Sequence, residues 1–462
     1  MYVLYKTMMK KLAPLVLVSG LAFGGFALVT STEDSAQADP GDKSNAKIKN
    51  VIFLIGDGMG SQYTSAYRYF QDRPDSPYTE DTAFDDYLIG MQETYSWDEE
   101  ESVTDSAAAA TTMAAGVKTY NGAIGVDVEK ERVKTALEIA KEEGKSTGLV
   151  STSHVNHATP ASFGTHNESR KNYDEIADDY YDEMIDGEHK VDVLLGGGTD
   201  YFEREDRNLA QEFQDDGYSY VTSRDEMMSD DNEQILGLFA PEGMDKMIDR
   251  DEDTPSLEEM TSSALDRLSK EKDGFFLMVE GSQIDWAGHD NDVVAAMSEM
   301  EDFEKAFEEA IAYAKKDKHT LVVTTADHST GGMTMGRDGE YKWDPEPLKA
   351  AKRTPDFMAS AIADGEDAEE TLNKYVDLSF TEEEIDSVEE AADGETEEID
   401  DAIEKIFDLR SGTGWTTDGH TGEDVNVYGY GPQSDAFSGL HDNHEVGKMI
   451  MNTLESGRTQ MK

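Results

Sequence analysis

Five short apolar runs punctuate the chain: Val51–Ile55, Thr147–Ser151, Val191–Leu195, Phe275–Val279 and Leu321–Thr325. They are rich in β-branched residues and lack the strict alternation of a half-exposed strand, which marks them as parallel strands covered on both faces. Between them, apolar positions recur at helical spacing over Val133–Glu143, Leu257–Lys270 and Val293–Lys315. Thr254-Pro255 supplies an N-cap and a first-turn proline for the second of these. Strand and helix in alternation predict an α/β fold, a doubly wound, mainly parallel sheet between helices. Ligands of such sheets sit outside the carboxyl ends of the strands. Four of the five runs are followed there by acids and imidazoles: Asp57; His154 and His157; Glu280 with Asp285 and His289; and Asp327-His328. All four groups are expected to meet at one edge of the sheet.

The two ends of the pattern differ from its middle. Lys6, Lys10 and Lys11 precede an apolar stretch from Leu12 to Thr30 and an Ala36-Gln37-Ala38 site. A basic start, an apolar core and an A-x-A site make residues 1–38 a secretory signal, with an uncleaved anchor as the alternative. Cleavage near Ala38 leaves residues 39–462 as one exported catalytic domain, periplasmic or extracellular, with no stable membrane association. Residues 361–410 carry 20 acidic and three basic side chains in helical patterns. The stretch 337–411 is therefore expected to be an acidic helical insertion on the surface of that domain.

Composition narrows the chemistry. The chain has 100 acidic and 40 basic residues, a formal charge of −60, which leaves no basic face for a nucleic-acid partner. With no cysteine there is neither a disulfide scaffold nor a thiolate metal site. The remaining class is an acidic enzyme.

Asp57 stands in Gly56-Asp57-Gly58-Met59-Gly60, directly after a strand. The spacing is not that of a dinucleotide loop, and an aspartate there would repel a pyrophosphate. A plain turn and a metal-binding aspartate approached closely by glycine backbone both fit. Asp285 and His289, four apart, share one face of a helix, an oxygen and a nitrogen donor that suit zinc. Asp327 and His328 are adjacent and can converge only in a loop. His420 lies in a glycine-rich stretch. Asp105-Ser106 heads an alanine-rich helix, either as a simple cap or as a nucleophile at an anion-binding helix N-terminus. Arg170 could grip phosphate oxygens with two parallel hydrogen bonds.

Together these residues resemble the metal-dependent alkaline phosphatases over essentially the whole chain after residue 38. The motifs stand in the family's order: Gly56-Asp57-Gly58, Thr104-Asp105-Ser106-Ala107, His157-Ala158-Thr159-Pro160, Ser169-Arg170-Lys171, Val279-Glu280-Gly281, Ile284-Asp285 with His289, Thr325-Ala326-Asp327-His328 and His420-Thr421-Gly422. The resemblance implies hydrolysis of phosphate monoesters with Ser106 as nucleophile, becoming a phosphoserine, and Arg170, oriented by Asp105, on the phosphoryl oxygens. It implies two zinc ions per chain, one on Asp285, His289 and His420 and the other on Asp57, Asp327 and His328. A third metal, magnesium with zinc as the alternative, would lie among Thr159, Glu280, Asp57 and His157. The implied assembly is a homodimer, with a monomer as the alternative. His157 and Trp286 depart from the best-known branch, which has aspartate and lysine there. Trp286 thus removes a positive charge from the substrate pocket. The acidity itself suggests a saline environment, where screening offsets self-repulsion and repulsion of an anionic substrate.

Overall fold

The computed structural model describes residues 46–459 apart from 74 and 75. The signal expected in residues 1–38 lies outside this range. Ten strands form the central sheet: β1 (Asn50–Gly56), β2 (Leu88–Glu93), β3 (Ser146–His154), β4 (Val193–Gly197), β5 (Ser219–Val221), β6 (Ile235–Leu238), β7 (Phe275–Gly281), β8 (Thr320–Ala326), β9 (Val425–Tyr430) and β10 (Gly439–Asp442). Their order is β10-β2-β9-β8-β1-β7-β3-β4-β6-β5. The five strands read from apolar runs are the contiguous parallel centre, β8-β1-β7-β3-β4. The other five flank it, with β9 antiparallel to both β8 and β2.

Alternate residues of β1 feed two cores. Ile52 and Leu54 join one cluster of buried side chains, while Val51, Phe53 and Ile55 join the other. This is what the two-residue period of a strand covered on both faces requires. The helices around the sheet include α1 (Ser106–Ala115), α2 (Ala136–Glu142), α3 (Leu257–Leu268), α4 (Gln283–Asp290) and α5 (Val293–Asp317). Helix α3 starts at Leu257 as its pattern suggested but with a different cap, while α2 starts three residues later than its pattern. Ser256, not Thr254, caps α3, because Ser256 and Glu259 form a reciprocal capping box that satisfies two backbone donors at once. The same device, Thr135 with Glu138, starts α2 at Ala136.

Helices α6 (Pro355–Ala363), α7 (Ala368–Tyr375), α8 (Glu382–Ala391) and α9 (Thr396–Ser411) follow in the acidic stretch. They are amphipathic: Ile399, Ile403, Ile406 and Phe407 of α9 are buried in the same cluster as Met297, Met300 and Phe303 of α5. Most of their acidic side chains point outward, but on α9 Glu404 is buried and Asp400 and Asp408 are half-buried.

Candidate metal and phosphate centre

Register places the acids. Gly56 of β1 lies opposite Ala326 of β8 and Gly281 of β7, so Asp57 and Asp327 leave the sheet at one level with Glu280 beside them. All three side chains are fully buried, as is that of His328. Gly58, at φ 68°, donates its N–H to Asp327 Oδ1 at 3.0 Å. A Cβ there would stand 2.8 Å from the Asp285 backbone, so glycine is required by both conformation and space. His328 Nε2 is 3.4 Å from Asp57 Oδ1 and 3.3 Å from Asp327 Oδ2.

A second group stands on α4. Asp285 and His289 share its inner face, and His420 joins them from a short bridge to Ser329–Thr330. His289 Nε2 is 3.4 Å from Asp285 Oδ2 and 3.1 Å from His420 Nε2. Thr330 hydrogen-bonds Asp285 Oδ1 and lies 3.3 Å from His328 Nδ1, linking the two groups.

Ser106 opens α1 and is buried. Its Oγ is 3.2 Å from His328 Nε2 and 3.5 Å from Asp57 Oδ1. Asp105 uses one oxygen to cap α1, accepting from Ala108 N at 2.9 Å, and the other to accept from Arg170 Nη1 at 3.0 Å. Arg170 Nη2 also donates to His157 Nε2 at 3.0 Å. A guanidinium can only donate, so that nitrogen is an acceptor and the His157 hydrogen sits on Nδ1. Trp286 packs edge-on against His157, ring centres 5.8 Å apart. These residues thus gather at the carboxyl edge of the sheet; Thr159, buried on the short helix Ala158–Gly164, and His154, its ring centre 4.9 Å from that of His157, follow the same strand.

Several partners were not read from the sequence. Ser151 holds Glu280 Oε2 at 2.6 Å, with Ser153 at 3.4 Å from the same oxygen. Asn121 accepts from Asp105 N at 3.1 Å. The serines were signalled: polar residues closing an otherwise apolar buried strand are out of place unless they serve its end. Asn121 lies in a loop with no such pattern.

Electrostatics show what the cluster lacks. Burial first, then Asp327, Asp285 and Glu280, push Asp57 well above the usual carboxylate range. Burial and Asp285 push Asp327 up to about 8. Burial likewise raises Glu280. Burial keeps His328 and His157 far below the usual imidazole value, hence neutral and able to offer a lone pair. The Asp285 hydrogen bond raises His289 to about 9, an imidazolium standing in for a cation. Asp57 Oδ2, Asp327 Oδ2 and Glu280 Oε1 are buried without a hydrogen-bond partner. Buried acids this close persist when a cation neutralises them. The ligand-capable atoms of Asp285–His289–His420, of Asp57–Asp327–His328 and of Asp57–His157–Glu280 each lie within 4.8 Å of one another. The residues present therefore fit metal ions at all three places.

Such a sheet edge, with metal-capable clusters facing a serine at a helix N-terminus and an arginine, defines a metal-dependent hydrolase acting on an anionic ester. The chain belongs to the alkaline phosphatase family: the family model described as alkaline phosphatase matches residues 48–456. Alkaline phosphatase 3 of Bacillus subtilis (strain 168) is 60% identical over 450 residues, covering 96% of this chain and 97% of the relative. Alkaline phosphatase 4 of the same organism is 52% identical over 457 residues, covering 98% and 99%. Among solved structures, the cold-active alkaline phosphatase of a psychrophilic Shewanella sp. superposes with a TM-score of 0.82 at 44% identity, covering 88% of this chain and 99% of its own. The alkaline phosphatase of the Antarctic bacterium TAB5 gives 0.66 at 30%, covering 88% and 98%. A histidine-to-glutamate variant of the TAB5 enzyme was solved with Mg bound in the M3 site. The protein is a phosphomonoester hydrolase.

Proposed function

We propose that the protein is an exported alkaline phosphatase that hydrolyses phosphate monoesters through a phosphoserine on Ser106. The observation that carries this reading is the placement of Ser106 Oγ at the head of α1, within 3.2 Å of His328 and 3.5 Å of Asp57. Asp285, His289 and His420 would hold one zinc ion, and Asp57, Asp327 and His328 the other. When bound, these ions lower the pKa of the attacking hydroxyl and neutralise charge on the phosphoryl group and the departing oxygen.

The chain's own groups do the rest. The α1 N-terminus places backbone N–H groups and a partial positive charge beside Ser106 Oγ, where the phosphoryl oxygens come to lie. Arg170 binds equatorial oxygens with a planar fork, and Asp105 holds that fork in place by Nη1. Burial lowers the Arg170 pKa, but Asp105 overcomes it and keeps the side chain charged throughout. With the phosphoryl group held in line, positioning and charge neutralisation account for most of the catalysis.

The third ion is read as magnesium. Glu280, Asp57 and Thr159 form an oxygen-rich set, which suits that ion. His157 already accepts from Arg170 and carries its hydrogen on Nδ1. Direct ligation through Nδ1 would require that hydrogen to move and would break the Arg170 contact. Export rests on the signal in residues 1–38, and among the described residues no helix is long and apolar enough to cross a membrane. A homodimer is proposed on the family resemblance.

The test is to trap labelled phosphate from a monoester at acid pH and map it. The label is expected on Ser106, and Ser106→Ala is expected to lose both label and turnover with the fold retained by circular dichroism. Label on another residue, or turnover surviving in the variant, would overturn the reading.

A further inference from the structure

A cavity of about 660 Å³ adjoins the catalytic cluster and shares Trp286 and His289 with it. Four aspartates line it, Asp245, Asp249, Asp290 and Asp356, against a single lysine, Lys246. Asp249 is committed to Thr354, whose hydroxyl donates to it at 2.6 Å. Asp290 stands 3.8 Å from the Lys246 ammonium. Asp245 and Asp356 are exposed and form no ion pair among the described residues.

An independent feature points to a donor-rich occupant. Gln283, 1% exposed, lines the same cavity and donates Nε2 to Met244 O at 2.6 Å. That bond fixes the amide orientation, and the remaining acceptor, Oε1, is buried with no partner. A buried acceptor without a donor is costly unless a ligand or water satisfies it. Trp286 contributes an aromatic wall, and Lys246 Nζ lies 5.8 Å from its ring centre. Lys246 Nζ, itself buried without a hydrogen-bond partner, lies between this indole face and Asp290 at 3.8 Å; an aromatic face with carboxylates beside it is the pairing that recognises organic cations.

We propose that this cavity receives the alcohol portion of the substrate and selects leaving groups that carry an ammonium, making aminoalkyl phosphate monoesters preferred substrates. The inference rests on the proposed mechanism: Ser106 attacks from beside His328 and Asp57, so an ester oxygen departing in line leaves on the opposite side, toward Asp285, His289 and His420. That side of the cluster is the one the cavity shares. Asp245 and Asp356 are the specificity-determining residues, acting through charge, and Gln283 Oε1 offers an ammonium hydrogen its acceptor. Anionic leaving groups are disfavoured by the same carboxylates.

The experiment uses the metal-loaded enzyme at about pH 8, where a primary amine remains protonated. It compares kcat/KM for 2-aminoethyl phosphate with that for 2-hydroxyethyl phosphate, a neutral ester of the same size. A preference of about tenfold for the ammonium ester is expected at low salt, the combined scale of a cation–π contact and two half-solvated carboxylates. In the double variant Asp245→Asn, Asp356→Asn the ratio is expected to fall to about twofold. Neutralising two distant exposed acids, Glu389→Gln with Glu390→Gln, should leave the ratio as it was. Equal rates on the two esters in the unaltered enzyme would overturn the inference, and so would a ratio that both double variants reduce alike, since overall charge then explains it. Failure to turn over either ester would instead count against the phosphatase reading itself.

Discussion

Two clusters in this molecule are built from the same kinds of side chain, carboxylates and imidazole, and have opposite chemistry. One is the proposed catalytic group around Asp57, Asp285, Asp327 and His328. The other is Glu138, His166 and Glu183, whose ligand-capable atoms also lie within 4.8 Å of one another. In the second cluster the chain supplies its own cations. Lys190, with a side chain 2% exposed, pairs with Glu183 Oε2 at 2.6 Å, and Arg132 pairs with Oε1. His166 faces Glu183 at 3.3 Å through one nitrogen and the Val133 carbonyl at 3.0 Å through the other, so both nitrogens meet acceptors. In the catalytic cluster Arg170 is turned toward Asp105, and one oxygen each of Asp57 and Asp327, Oδ2, goes unmatched. The presence of carboxylates and imidazoles therefore does not mark a metal site. What marks it is a deficit of positive charge that the chain leaves uncorrected.

Removing ions is the strongest way to break this comparison. Chelation of the purified enzyme is expected to reduce phosphomonoesterase activity roughly a thousandfold or more, because the stabilisation lost at the phosphoryl group amounts to several kcal/mol. Zinc with magnesium should restore it. Metal analysis should find no ion that disappears when Glu183 is replaced by glutamine. Full activity after exhaustive chelation would refute the assignment.

Stability should respond in opposite directions at the two clusters. In the metal-free protein at about pH 8, Asp327→Asn is expected to stabilise by on the order of 2 kcal/mol, since it removes a carboxylate whose ionisation the fold opposes. Asp327 titrates near 8 when folded, above its unfolded value, so the metal-free protein should gain stability as pH falls through 8. Glu183 behaves the other way. Burial opposes its charge, but His166 and Lys190 outweigh burial and hold its carboxyl down to about 2. Its contribution is present above the unfolded value and is lost only as pH falls toward 2. Glu183→Gln should therefore cost about 3 kcal/mol near neutral pH, leaving the buried Lys190 with only the more distant Glu138, 3.7 Å away, as its carboxylate partner. Denaturant titrations of both variants across pH decide the matter, and equal signs would erase the distinction.

Trp286→Lys tests charge supply within the catalytic cluster itself. Lysine there would add a cation at the cluster, where this chain has only Lys246, 5.8 Å from the Trp286 ring centre. The inhibition constant for inorganic phosphate is expected to fall about tenfold, the scale of one further charge-assisted contact. An unchanged constant would mean that the field at the phosphate is set by Arg170 and the ions alone.

How much of this was legible in the sequence follows from how locally each feature is encoded. The central strands were visible because burial on both faces demands an unbroken apolar run, as in Val51–Ile55. The flanking strands were not: Leu88–Glu93 is half exposed and mixes glycine, methionine and glutamine. Val425–Tyr430 alternates apolar and polar residues and carries a glycine. Asp57, Ser106 and Asp327 could be placed because each directly follows or starts an element. The cap of α3 was misplaced by two residues because Thr-Pro and Ser-x-x-Glu both signal a helix start, and only the second satisfies two donors. The division of labour at Arg170, between Asp105 and His157, depends on contacts spanning 65 and 13 positions, which no local pattern records. Nor could composition separate the two acid–imidazole clusters, because the distinction lies in where Lys190 and Arg170 point.

The smallest expected effect concerns the charge outside both clusters. The acidic faces of α7, α8 and α9 contribute heavily to the formal charge of −60, and a dianionic ester must approach through that field. Raising salt from about 0.05 M to about 1 M shortens the screening length from over 10 Å to about 3 Å. We expect kcat/KM on a dianionic monoester to rise about threefold over that range, with the midpoint of unfolding rising in parallel as self-repulsion is screened. The buried Glu183–Lys190 pair, shielded from mobile ions, should cost the same on substitution at either salt concentration. The comparison thus gains a third member: charges compensated by the chain, charges left for bound metal, and charges left to the solvent. A rate and a stability that are both flat or falling with salt would show that the surface charge serves neither approach nor folding.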